Sequence, residues 1–192
     1  SIDLSEITRF CHYYDYTSSI SVNNVLYNCD SLTSISLPKL ESLESPSYQT
    51  NGLCSYCENL KYVYLGSPEY PITSFTGYYN GSTAYRHFYG ANNLVFINLI
   101  TENGLESDVE FTYMYNTVKE KIICSKAPIE LYSDDNFDYM IIGNEAVINA
   151  YKGTDTEIEI PSTVKDIPIT KTDDNVFYNS SVRTEITSVT LP

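Results

Sequence analysis

Apolar residues return along this chain in one short spaced pattern about every thirty residues. It reads Leu32-x-x-Ile35-x-Leu37, Leu60-x-x-Val63-x-Leu65, Leu94-x-x-Ile97-x-Leu99 and Ile186-x-x-Val189-x-Leu191. Ile122-x-Cys124 and Ile158-x-Ile160 supply the strand half of the same pattern. The last apolar residue falls at 37, 65, 99, 124, 160 and 191, in steps of 28, 34, 25, 36 and 31 residues. Within each copy two apolar residues stand one apart, which predicts a strand with one buried face. Self-similarity at this period is the signature of a solenoid, whose units bury their faces only against neighbours.

Upstream of each strand lies a second apolar stretch: Val25–Cys29, Leu53–Cys57, His87–Ala91 and Val176–Ser180. These stretches are too short for full helices and predict one or two turns of 3₁₀ or α helix on the far side of each unit. Residues between are rich in Ser, Asn, Gly and Pro, with turn signals at Asn51-Gly52, Asn80-Gly81 and Asn103-Gly104. Around Tyr70 to Tyr85 an insertion is expected to bulge from one edge. From Phe137 to Tyr151 the pattern changes to two period-2 runs around Gly143-Asn144, which predicts a β-hairpin.

Two stretches carry a family resemblance. Ala146–Gly153, Ile158–Val164, Ile167–Thr170, Asn175–Asn179 and Ile186–Pro192 form one, and Cys29-x-x-Leu32-x-x-Ile35-x-Leu37-Pro38 opens the other. Both resemble the BspA-like leucine-rich repeat family, over residues 137–192 and 25–66. The chain departs from the repeat at Ala91, which replaces its cysteine, and at Lys121, which breaks the apolar spacing before Ile122. The resemblance implies a leucine-rich-repeat right-handed solenoid, α/β by class and β-rich here. Its stacked parallel strands would have short 3₁₀ or irregular backs and one inserted β-hairpin. Residues 1–133 are expected to form the first solenoid coils, and 134–192 the hairpin and restarting repeats. The chain opens on Ser1 and ends on a bare repeat strand, so a piece of a longer repeat protein is expected.

The same resemblance implies an extracellular, cell-surface or secreted protein. It would be a non-catalytic adhesion module that recognises a host or microbial surface protein or glycan. The alternative is a structural spacer that presents another domain. No cofactor is implied. Asp+Glu 25 against Lys+Arg 11 leaves a net charge of −14, which repels phosphate backbones and makes nucleic acid and anionic membrane poor partners. No apolar run approaches the roughly 18 residues of a membrane span, so no direct membrane insertion is expected.

If the strands stack in parallel, the residues alternating with the buried ones form outward ladders. One ladder is Ser36, Tyr64, Asn98, Ile123, Glu159 and Thr190; its neighbour is Ser34, Tyr62, Phe96, Lys121, Glu157 and Ser188. Tyr62, Tyr64, Phe96 and Asn98 are therefore the candidate ligand-binding residues, since exposed aromatic rings anchor protein or glycan partners. The bland reading of the same rings is cross-strand packing. Tyr78, Tyr79 and Tyr85 in the insertion are a second candidate.

Other chemistry is thinly signalled. Asp134, Asn136, Asp138 and Glu145 have the spacing of a calcium loop, but Tyr139 stands where the loop needs glycine. An alternating strand pattern also runs through them, so a polar turn into the hairpin is expected, with calcium as the weaker alternative. Five cysteines make no disulfide framework; Cys29 and Cys57 read as small buried residues of the repeat. His12 and His87 lie in aromatic stretches without a catalytic motif around them.

Overall fold

The computed structural model describes residues 9–11, 26–44, 53–76, 78–79, 84–85, 87–112, 116–178 and 180–192. The chain divides into two compact units, Ser1–Pro128 and Ile129–Pro192. The division falls ahead of the expected one at 133/134, because the strand Glu130–Ser133 pairs antiparallel with Phe137–Ile142. Among the described residues the fold is β-rich, with only a 3₁₀ turn at Glu106–Asp108 and a short helix at Asn116–Lys119.

Parallel pairing in the N-terminal unit follows the sequence repeat. Strands Ser34–Leu37, Tyr62–Leu65, Phe96–Ile100 and Ile122–Ser125 lie side by side in one sheet. Their register places Ile35 on Val63, Val63 on Ile97, and Ile97 on Ile122. These residues, with Leu37, Leu65 and Leu99, point into a single core. Each connection is far longer than a hairpin, as parallel neighbours require.

A second parallel sheet, which the apolar pattern did not predict, joins Arg9–Cys11, Ser42–Glu44, Ser74–Thr76 and Glu110–Thr112. Leu43, Phe75 and Phe111 are in register there and pack into the same core from the opposite sheet. Each of these strands has three residues, so alternation shows only one inward side chain per strand.

The stretches 26–29, 53–57 and 87–91 are hydrogen-bonded turns, not the expected helical turns. Positive φ at Asn28 (54°), Cys54 (56°), Tyr56 (58°), Phe88 (61°) and Gly90 (76°) interrupts any helical run. For Cys54 and Phe88 this conformation costs about 1–2 kcal/mol each. Both side chains are sealed in the core, which holds the backbone there. Successive turns are tied together by the Asn28 N–H to Ser55 O (3.0 Å) and by the Tyr56 N–H to Tyr89 O. Asparagine side chains add a second set of rungs, Asn59 to the Asp30 carbonyl (2.8 Å) and Asn93 to the Glu58 carbonyl (2.9 Å).

In the C-terminal unit the expected hairpin forms between Phe137–Ile142 and Glu145–Tyr151. Ile142 pairs with Glu145 across a two-residue loop, and Gly143 supplies the positive φ (62°) at its first position. The hairpin continues into Glu130–Ser133 on one side and Ile167–Thr172 on the other, so it is the centre of a five-stranded sheet. A separate parallel pair, Glu157–Glu159 with Ser188–Thr190, places Ile158 on Val189. The outward ladders expected to run through six strands are therefore divided: four strands pair in the first unit and two in the second.

Candidate binding surface

Register brings the predicted residues together as expected: Tyr62 is opposite Phe96, and Tyr64 is opposite Asn98. The Tyr62 and Tyr64 rings flank Phe96 with centroids 5.3 and 5.4 Å away. Burial corrects the reading of an open patch. Phe96 is 1% and Asn98 0% exposed, while Tyr62 and Tyr64 are half-buried. Alternation puts all four on the face away from the core, but every residue of Phe96–Ile100 is buried, on both faces. Asn98 acts as a polar rung, its Nδ2 donating to Ser125 Oγ (2.7 Å) and the Ile123 carbonyl (3.1 Å). Of the predicted patch, Tyr62 and Tyr64 alone reach solvent.

A different aromatic row is open. Tyr27, Tyr56 and Tyr89 stand on three consecutive turns and are 45%, 36% and 45% exposed. Their rings meet edge to face, at 5.4 Å for Tyr27–Tyr56 and 5.3 Å for Tyr56–Tyr89. This geometry suits the quadrupoles of the rings and leaves faces and hydroxyls outward. Partial desolvation, with Tyr89 and Tyr27 alongside, raises the Tyr56 phenol pKa. A tyrosine just before the Cys29, Cys57 and Ala91 positions was the signal for this row in the sequence. The apolar pattern places it on the far side of each unit, and the turn conformation that exposes it is not written in a hydrophobic period.

Beside this row lies a cleft of about 580 Å³. Phe88, Leu94 and Val118 give it apolar surface, Tyr56 and Tyr89 its aromatic wall, and Glu58, Asn92 and Lys121 its polar groups. A second, more open cleft in the C-terminal unit is lined by Asp134, Asn136, Tyr139 and Glu159 among others.

The residues of the calcium spacing are engaged elsewhere. Asp134 Oδ1 accepts the N–H groups of Asn136 (2.9 Å) and Phe137 (2.8 Å), and its Oδ2 accepts the Tyr139 hydroxyl (2.7 Å). Asp138 faces Lys152 at 3.4 Å, and Glu145 begins the second hairpin strand, where it accepts from Thr170. The Asp134 carboxylate is thus the anchor of a turn. Among the described residues no three His, Cys, Asp or Glu side chains converge to hold a metal.

His87 is buried, accepts the Leu53 N–H on Nδ1 (3.0 Å), and donates from Nε2 to the Thr76 carbonyl (3.2 Å). Burial holds it neutral, with its pKa lowered to about 4. Cys29, Cys54, Cys57 and Cys124 are free thiols, and burial raises Cys54 and Cys57. The insertion forms a small hairpin pairing Tyr78 with Tyr85 and Tyr79 with Ala84. His12 and the Asn80-Gly81 turn lie outside the described residues.

No family model matches the chain, and no match was found among curated proteins or solved structures.

Taken together, the arrangement offers contact chemistry. The tyrosine row presents rigid rings that lose little side-chain entropy when bound. The cleft joins apolar floor to a few convergent polar groups, as ligand sites do. In the C-terminal unit Tyr178 repeats the theme, 60% exposed with the Arg183 guanidinium 4.7 Å from its ring centre. Among the described residues no helix is long and apolar enough to cross a membrane.

Proposed function

We propose that the chain is a leucine-rich-repeat solenoid of the BspA-like kind, acting as a non-catalytic binding module on the outside of a cell. Its partner in this reading is a host or microbial surface protein or glycan. The observation that carries the proposal is the exposed row Tyr27, Tyr56 and Tyr89, three edge-to-face rings on consecutive turns. Support for the solenoid comes from two parallel sheets whose strands return with the sequence repeat and close on one core.

The test is saturable binding of the purified protein to an immobilised panel of matrix proteins, mucins and glycans. A hit that is lost when Tyr27, Tyr56 and Tyr89 become Ala, and kept when Tyr62 and Tyr64 become Ala, supports this surface. The reverse result returns the site to the strand face. A blank panel with folded protein leaves a spacer that presents another domain.

A further inference from the structure

We infer that Cys29 and Cys57 form a redox-closed staple: a small-molecule disulfide oxidises them to a cystine that pins together the turns carrying Tyr27 and Tyr56. Register brings the two cysteines side by side. Ser34 pairs with Tyr62, so Cys29 and Cys57, also 28 residues apart, hold the same place in adjacent turns. Hydrogen bonds on either side fix their separation: the Asn28 N–H to Ser55 O (3.0 Å), and Asn59 Nδ2 to Asp30 O (2.8 Å). Backbones bonded in this way stand about 5 Å apart, inside the roughly 4.4–6.8 Å range of Cα separations in disulfides.

Both sulfurs lie at the seam between these turns. The Cys57 thiol reaches out of its own turn and donates to the Leu26 carbonyl of the preceding one, at 2.9 Å. Its sulfur takes the Cys29 N–H there and lies within hydrogen-bonding reach of the Cys29 thiol. In the third turn the matching residue is Ala91, since Tyr62 pairs with Phe96. These three turns therefore hold one such pair of thiols.

Access decides which bond forms. Cys54 also lies beside Cys57, in the place that Leu26 and Phe88 fill in the neighbouring turns. Cys54 and Cys57 are fully buried, and burial raises both thiols. Cys29 is only partly buried, so an oxidant from solvent meets it first. The Cys29 thiolate attacks one sulfur of a small disulfide such as oxidised glutathione, which forms a mixed disulfide and releases one glutathione. Cys57 then gives up its proton and attacks the Cys29 sulfur, which forms the Cys29–Cys57 bond and releases the second glutathione. The two protein thiols lose two electrons and two protons, and the glutathione disulfide takes them up as two thiols. The new bond lies two residues from Tyr27 and one from Tyr56, whose ring centroids are 5.4 Å apart.

The experiment incubates the folded protein with reduced or oxidised glutathione, blocks the remaining thiols, and maps the digested peptides by mass. The oxidised sample should yield a cross-linked peptide that joins Cys29 to Cys57. Its Tm should rise by about 5–10 °C, the gain expected from closing a loop of this length, and dithiothreitol should reverse the rise. Cys29→Ser, at a partly exposed position, should fold and show the same Tm with either form of glutathione. Cys54→Ala should still cross-link. Free Cys29 and Cys57 in the oxidised, folded protein overturn the proposal. So does a Cys54–Cys57 bond, a glutathione adduct that stays on Cys29, or a cross-link that leaves Tm unchanged.

Discussion

Gly90 is the seat on which Tyr56 rests: a Cβ added to Gly90 would stand 3.0 Å from Tyr56 Cδ1 and 3.3 Å from its Cα. Gly90 also holds φ at +76°, a region that residues with a Cβ enter at a cost of about 1–2 kcal/mol. The two facts act on the same row of rings. Gly90→Ala should lower stability by that amount and push Tyr56 away from Tyr89. The Tyr56 aromatic signals should move while those of Tyr62 stay in place. Panel binding should weaken with it, which places the ligand on the turn side of the unit.

Phe96 should behave as a core residue although alternation assigns it to the outer face. Phe96→Ala removes a fully buried ring and should cost about 3–5 kcal/mol in denaturant unfolding. Tyr62→Ala, at a half-buried ring 5.3 Å away, should cost a fraction of that. Equal costs would mean that Phe96 is open to solvent after all.

His87 should make the fold acid-sensitive. Its pKa is lowered to about 4 by burial, against 6.5 when the chain is unfolded. Between those values the unfolded chain binds a proton that the folded one refuses, so stability falls as pH drops from 6.5 towards 4. Below 4 both states are protonated and no more is lost at this site. The loss amounts to about 3 kcal/mol. His87→Gln should flatten this part of the pH–stability curve, measured by urea unfolding at a series of pH values.

Asp134 should matter to the hairpin and not to calcium. Its carboxylate accepts two backbone N–H groups and the Tyr139 hydroxyl, so Asp134→Ala leaves three donors without that partner. The expected loss is about 1–3 kcal/mol. Adding millimolar calcium should leave the wild-type Tm unchanged. A rise in Tm with calcium that Asp138→Ala removes would reinstate the metal site.

What was legible in the sequence was local and periodic. The strand positions around Ile35, Val63, Ile97 and Ile122, and their mutual register, follow from apolar spacing, because a strand with one buried face must repeat every second residue. The hairpin was legible for the same reason, with Gly143 at the one loop position that takes a positive φ. The second sheet was not, since Leu43, Phe75 and Phe111 each sit alone in a three-residue strand and a single apolar residue has no period.

Tertiary structure alone decided which faces meet water. Alternation says that Phe96 and Asn98 point away from Ile97 and Leu99, but not whether that side is covered. Both are buried. The turns are the converse case. Tyr27, Tyr56 and Tyr89 lie in apolar stretches that read as inward backing. Yet the positive φ of Asn28, Tyr56 and Gly90 turns the chain so that those rings stand outside, one repeat against the next. Burial is a property of what lies opposite a residue in space, and a linear pattern carries only the side on which the residue points.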